Sequence, residues 1–167
     1  GVVALCAVLY VANSQMAKRS ASSVDESELS MMTSFTGNVT RNFEGENLLE
    51  YGFDLPEGAT TTIEKDGALV KVVDVTAKPL FEMYFSFEGG RGYSPTDYIT
   101  KVIAPQVKVI NSQGVVAVGA REWEVVESER SVWRVAKSDD GQWLLVVENR
   151  KADAETVDPI VGSIITQ

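Results

Sequence analysis

No histidine occurs anywhere in this chain of 167 residues, and cysteine occurs once, at Cys6. The missing imidazole excludes Ser-His-Asp and Cys-His nucleophilic catalysis, histidine acid–base chemistry, and nearly all zinc, copper and non-haem iron sites. A single cysteine makes no internal disulfide, and inside an apolar run it reads as a small hydrophobe rather than a reactive thiolate. Positive charge is also scarce: 15 Lys and Arg stand against 24 Asp and Glu, for a net charge of −9. Such a surface repels phosphate backbones, so nucleic acid is not an expected partner. Carboxylates, Lys, Tyr, hydroxyls and oxygen-ligated metals remain. The expectation from these absences is a domain that is not an enzyme and holds no cofactor.

Long hydrophobic runs are missing too, with one exception. Gly1 to Ala12 reads GVVALCAVLYVA, uncharged throughout and succeeded at once by polar sequence. Twelve helical residues rise only about 18 Å, short of the roughly 30 Å of a bilayer core. Because the chain starts with Gly rather than Met, the expectation is a membrane anchor whose first residues lie upstream. The rivals are a signal-peptide core, for which Ala12-Asn13-Ser14 offers a cleavage pattern, and a short buried helix. Residues 1–14 are thus assigned to the anchor or signal segment. Residues 15–36, rich in Ser and charge, bury too little apolar surface to fold alone and are assigned to a flexible spacer. Lys18 and Arg19 argue mildly for a cytoplasmic C-terminal side. The favoured expectation is nonetheless an extracytoplasmic domain at the periplasm or cell surface, since anchors near an N-terminus usually export the domain behind them.

Residues 37–167 have the length of one domain. Phe81, Met83, Phe85 and Phe87 alternate on one strand face, and Leu69 to Val75 is β-branched and bounded by Asp66-Gly67. Asp139-Asp140-Gly141 separates Trp133–Ala136 from Trp143–Val147 as a hairpin, and with Trp123 and Val125 the segment 115–149 reads as a meander. In this reading Trp133 and Val135 face the core while Arg134 and Ala136 face away. Ser94-Pro95-Thr96-Asp97 opens a helix that Pro105 ends. Asp153 or Asp158 caps a C-terminal helix, Asp158 being preferred if Pro159 lies in its first turn. The expected class is α+β, an antiparallel sheet flanked by helices.

This order of elements resembles the PsbP-like superfamily, that of the photosystem II accessory protein and its bacterial envelope relatives. The resemblance is carried by the strand Tyr51-Gly52-Phe53-Asp54-Leu55-Pro56, the helix from Ser94-Pro95-Thr96-Asp97-Tyr98-Ile99, the meander and the closing helix, over roughly residues 45 to 166. It implies a sandwich-like antiparallel sheet on a secreted or tethered chain, with a binding or assembly role. Metal sites that depend on histidine do not carry over.

Two segments stand out as candidate sites. Gly89, Gly90, Arg91, Gly92 and Tyr93 form a glycine-rich loop leading into a helix N-terminus, where Arg91 and the backbone would meet a protein partner or small ligand through a carboxylate or phosphate. The loop has no nucleotide-binding fingerprint. Glu122 and Glu124 share a strand face and form a weak calcium candidate, with Glu127 and Glu129 as a second pair and Arg121 and Arg130 flanking. The plainer reading there is a solvated, ion-paired face. The favoured function is a membrane-tethered, non-enzymatic accessory or binding domain. The alternative is a carboxylate-based hydrolase or calcium-dependent enzyme built on Glu122 and Glu124.

Overall fold

Strand periodicity and turn chemistry set ten strands and two short helices in the computed structural model, which describes residues 32–41, 46–89 and 92–167. The expected hydrophobic helix over Gly1–Ala12 lies outside the described residues. Among those described, no helix is long and apolar enough to cross a membrane. In chain order come β1 (Met32–Arg41), β2 (Glu46–Pro56), β3 (Thr60–Glu64), β4 (Leu69–Val73) and β5 (Pro79–Phe87). Helix α1 (Pro95–Tyr98) then runs straight into a π-helical turn (Ile99–Ile103). β6 (Asn111–Val118), β7 (Arg121–Glu127), β8 (Ser131–Lys137), β9 (Trp143–Arg150), α2 (Ala154–Gly162) and β10 (Ile165–Thr166) complete the chain. Every strand pairing is antiparallel, in a small sheet ordered β1-β2-β10 and a large one ordered β3-β4-β5-β9-β8-β7-β6. The expected antiparallel α+β class is present.

β1 begins at Met32, so residues 32–36, assigned to the spacer by composition, belong to the small sheet. The correction has a local cause. Phe35 packs edge-on against Phe53 at 5.1 Å, and the strand pairs along its whole length from Met32↔Pro56 to Arg41↔Glu46. A Ser/Thr-rich segment is ordered by its partner strand, which its own composition does not reveal.

The large sheet is covered on both faces. On its inner face, Phe81, Met83 and Phe85 of β5, Leu145 and Val147 of β9, and Trp123 and Val125 of β7 meet Leu49, Tyr51, Phe53 and Leu55 of β2. Val157, Ile160 and Val161 of α2 close the same core. On its outer face, Trp133, Val135, Leu144, Val146 and Val126 pack under Ile99 and Ile103. β8 is therefore buried through Val132–Ala136 without alternation. Two expectations change accordingly. Trp133 faces the opposite side of the sheet from Trp123 and Trp143, and Arg134 is buried among inner-face residues rather than directed to solvent. Its guanidinium donates to Asn149 Oδ1 and, at 2.7 Å, to Asp158 Oδ1 on α2, which satisfies a charge that would be costly to bury alone.

Local chemistry fixes the joints. The Ser138–Trp143 turn forms as expected: Gly141 adopts φ +73°, and Asp140 accepts from Ser138 Oγ and the Gln142 N–H. α2 starts at Ala154, with Asp153 at its N-cap position, so Pro159 sits inside the helix and Asp158 is not its cap. Asp153 instead pairs with Arg150. The β3–β4 turn meets β1 at Gly67, where an added Cβ would lie 1.8 Å from the Asn38 carbonyl oxygen. Tyr51 donates to the Gly67 carbonyl at 3.0 Å from between the two sheets. Burial pushes its phenol up to about 12.

These contacts predict the unfolding behaviour. Phe85→Ala removes a fully buried ring whose centre lies 4.3 Å from that of Tyr51 and should cost about 3–5 kcal/mol in urea titration. Trp123→Phe should cost much less than Trp123→Ala, because Phe keeps a ring in the core while both variants remove an indole N–H that has no acceptor among the described residues. Equal losses for the two Trp123 variants would contradict the assignment.

Candidate functional site

The glycine-rich loop and the acidic strand, the two segments singled out in the sequence, come to different ends. Of the loop, Gly89, Gly92 and Tyr93 are described, while Gly90 and Arg91 lie outside the described residues. The group that organises the described part of the loop is Glu88, just before it. Its carboxylate accepts from Ser86 Oγ at 2.5 Å and from the Tyr93 N–H at 2.8 Å, while the N–H groups of Glu88 and Gly89 donate to the Gln142 carbonyl. At the helix start, Ser94 Oγ accepts from the Asp97 N–H in a capping box. Two carboxylates, Glu88 and Asp97, thus occupy the neighbourhood where an anion was expected, and they disfavour one there. Tyr93 is exposed and turns its ring towards Tyr98 and the Lys101 ammonium, 5.4 Å from the ring centre.

Glu122 and Glu124 do share the outer face of β7, but they do not converge on a metal site. Glu124 accepts from Thr96 Oγ1 at 2.6 Å and so ties α1 to the sheet. No group of three or more acidic or thiol side chains stands ready to hold a metal among the described residues. Arg121 cannot reach the pair, because odd-numbered positions of β7 face inward. It binds Asp139 instead, and reaches Ile164 and Thr166 at the C-terminal end. Glu127 faces inward too, against Lys151 (3.0 Å), Gln113 (2.6 Å) and Asn111 (3.3 Å), and Glu129 lies beyond the strand.

The sequence reading missed a cleft on the outer face. It lies where α1 and the turn after it leave β4, β5 and β9 partly uncovered, with a volume of about 300 Å³. Cross-strand register builds its floor in two rows: Trp133, Glu148 and Glu82 in one, Val146, Tyr84 and Leu69 in the next. Tyr98, Val102 and Gln106 form its roof. Burial first, then the neighbouring Tyr84 and Glu88, raises the Tyr98 phenol above its ordinary range, so it remains a neutral hydroxyl. The Lys65 ammonium stands 5.6 Å from the Tyr84 ring centre. The alternation Glu82-x-Tyr84 was visible in the sequence; its partner Glu148 could be found only once β5 and β9 were known to be neighbours.

No protein-family model matches the chain, and no curated protein does. Among solved structures it is similar to a crystal structure from Bacteroides thetaiotaomicron VPI-5482 determined at 1.50 Å, with a TM-score of 0.47 and 11% identity over 70% of this chain. The match spans 45% of that protein, less than half its length. Likeness at this level carries no functional argument.

The ionic contacts of this region set an acid limit on stability. Hydrogen bonds from Gln113 and Lys151 hold the Glu127 carboxyl below its usual range, and Arg121 does the same for Asp139. Both groups are lowered in the folded state, so their contribution is complete above the unfolded carboxylate pKa of about 4 and is lost as pH falls through the folded value. Glu127→Gln should therefore lower the melting temperature at pH 7 and leave it nearly unchanged at pH 2. An equal deficit at both pH values would show that the carboxylate's charge is not what matters.

Proposed function

We propose that this chain is a non-enzymatic binding domain that takes a small ligand in the cleft beneath α1. One observation supports the reading above the others. The cleft is half-open and lined by three aromatic rings and two carboxylates, the composition of a site that recognises a small molecule. Glu124 is engaged by Thr96 and no metal-holding acidic group forms among the described residues, so the hydrolase or calcium-enzyme alternative has less to support it. The apolar run Gly1–Ala12 supports a tether that holds the domain at a membrane, on the extracytoplasmic side. The resemblance to PsbP-like accessory domains is compatible with that role, and the cleft in place of the glycine-rich loop is where we put recognition.

A thermal-shift screen of small metabolites tests the reading. A ligand at a hundredfold excess over its Kd stabilises the folded state by about 2.7 kcal/mol, a rise of several degrees in Tm. Val102→Phe, which fills the roof, should abolish the rise for each such ligand. Ligands that act equally on the wild type and Val102→Phe bind elsewhere and would overturn it. Protease accessibility in intact cells reads the side of the membrane: resistance to external protease, lost on lysis, would contradict the exposed cell-surface form of the proposal.

A further inference from the structure

We infer that the ligand of this cleft is a small organic ammonium ion, its charged nitrogen held between Glu82 and Glu148 and its apolar body set against Tyr84, Tyr98 and Trp133; the inference rests on the cleft's being a binding site. Glu82 of β5 and Glu148 of β9 are direct cross-strand partners, so two carboxylates share one face at neighbouring positions. Like charges directly opposite one another destabilise an antiparallel pair. Proteins commonly quench such a pair with a nearby cation, yet neither carboxylate has an ion pair or hydrogen bond among the described residues. Lys71, the register partner of Glu82 on its other side, turns to Glu64 at 3.2 Å instead. No described cation therefore sits in contact with either carboxylate, and Lys65 stands over the neighbouring Tyr84 ring.

The walls fit the same class of ligand. Trp133 is only 8% exposed and lines the cleft with its ring. Aromatic faces attract ammonium groups, most strongly where water is partly excluded. Two rings of this region already receive one: Tyr84 from Lys65 at 5.6 Å, and Tyr93 from Lys101 at 5.4 Å. A divalent metal fits less well, since calcium takes six to eight oxygen ligands and two carboxylates fall far short. Anions are opposed by both glutamates. With each water-sized group taking about 30 Å³, the 300 Å³ cleft suits a ligand of roughly ten heavy atoms, the size of an arylalkyl amine.

Isothermal titration of the 167-residue chain with benzylammonium, benzyl alcohol and benzoate separates charge from shape, because the three probes share a size and a ring. Benzylammonium should bind at least tenfold more tightly than benzyl alcohol, with benzoate weakest. E82Q/E148Q should reduce benzylammonium to the affinity of benzyl alcohol while keeping the wild-type Tm or raising it, since the like-charge contact is gone. Glu82→Gln alone, at an exposed position, should give an intermediate loss and guards against misfolding of the double variant. Equal affinity for ammonium and alcohol, or no binding by any probe, overturns the ammonium assignment. So does displacement of benzylammonium by an equal concentration of calcium. The cleft reading falls separately, when Val102→Phe leaves the ligands found by thermal shift unaffected.

Discussion

Burial of β8 and β9 on both faces is the constraint that organises the remainder of this structure. These two strands sit at the centre of the seven-stranded sheet and expose almost no side chain over Val132–Ala136 and Trp143–Val147. A sheet buried on both faces needs two covers. The small sheet and α2 supply the inner one, with Tyr51, Phe53, Val157 and Ile160 against Phe81, Met83 and Phe85. The outer one is α1 with its π-helical turn, contributing Ile99 and Ile103. Placing Arg134 in this centre is tolerated only because Asn149 and Asp158 meet its guanidinium.

The two covers are unequal, and the inequality creates the cleft. Seven strands about 4.8 Å apart span roughly 29 Å from edge to edge. Nine helical residues rise only about 13 Å. α1 therefore covers β8 and part of β9 but leaves the outer face of β4 and β5 open beside it. At that boundary the sheet changes character, from Val135 and Val146 to Tyr84, Glu82 and Glu148. Thr96, through Glu124, pins the start of the helix over β7, which holds the roof in register with the floor. Packing and candidate function are thus two results of one mismatch in length.

Much of the fold was legible in the sequence because its signals are local. The alternation in Phe81–Phe87, the turn at Asp139-Asp140-Gly141 and the cap at Ser94-Pro95 each act within a few residues, and each element lies where those signals put it. What was not legible depends on partners far along the chain. The first half of β1, residues 32–36, looks like a polar spacer until Phe53 is placed beside Phe35. Arg134 looks solvent-facing until α2 brings Asp158 over it. Pro159 looks like a first-turn residue until the short helical turn Lys151–Asp153 is seen to lead the helix in from further back. The candidate sites show the same division. The glycine-rich loop was conspicuous by composition, but the group that organises the described part of it is the neighbouring Glu88. Glu82 and Glu148 are inconspicuous because they stand 66 positions apart and meet only through the β5–β9 register.

Native-state hydrogen exchange, resolved by residue, tests the two-faced burial of the central strands most directly. The account predicts that the hydrogen-bonded amides of β8 and β9 exchange only through global unfolding and form the most protected group in the domain. The edge strands β3 and β6, each paired on one side only, should exchange through local opening and faster. Protection in β8 no greater than in β6 would contradict the account, because a centre that opens as readily as an edge is not covered on both faces.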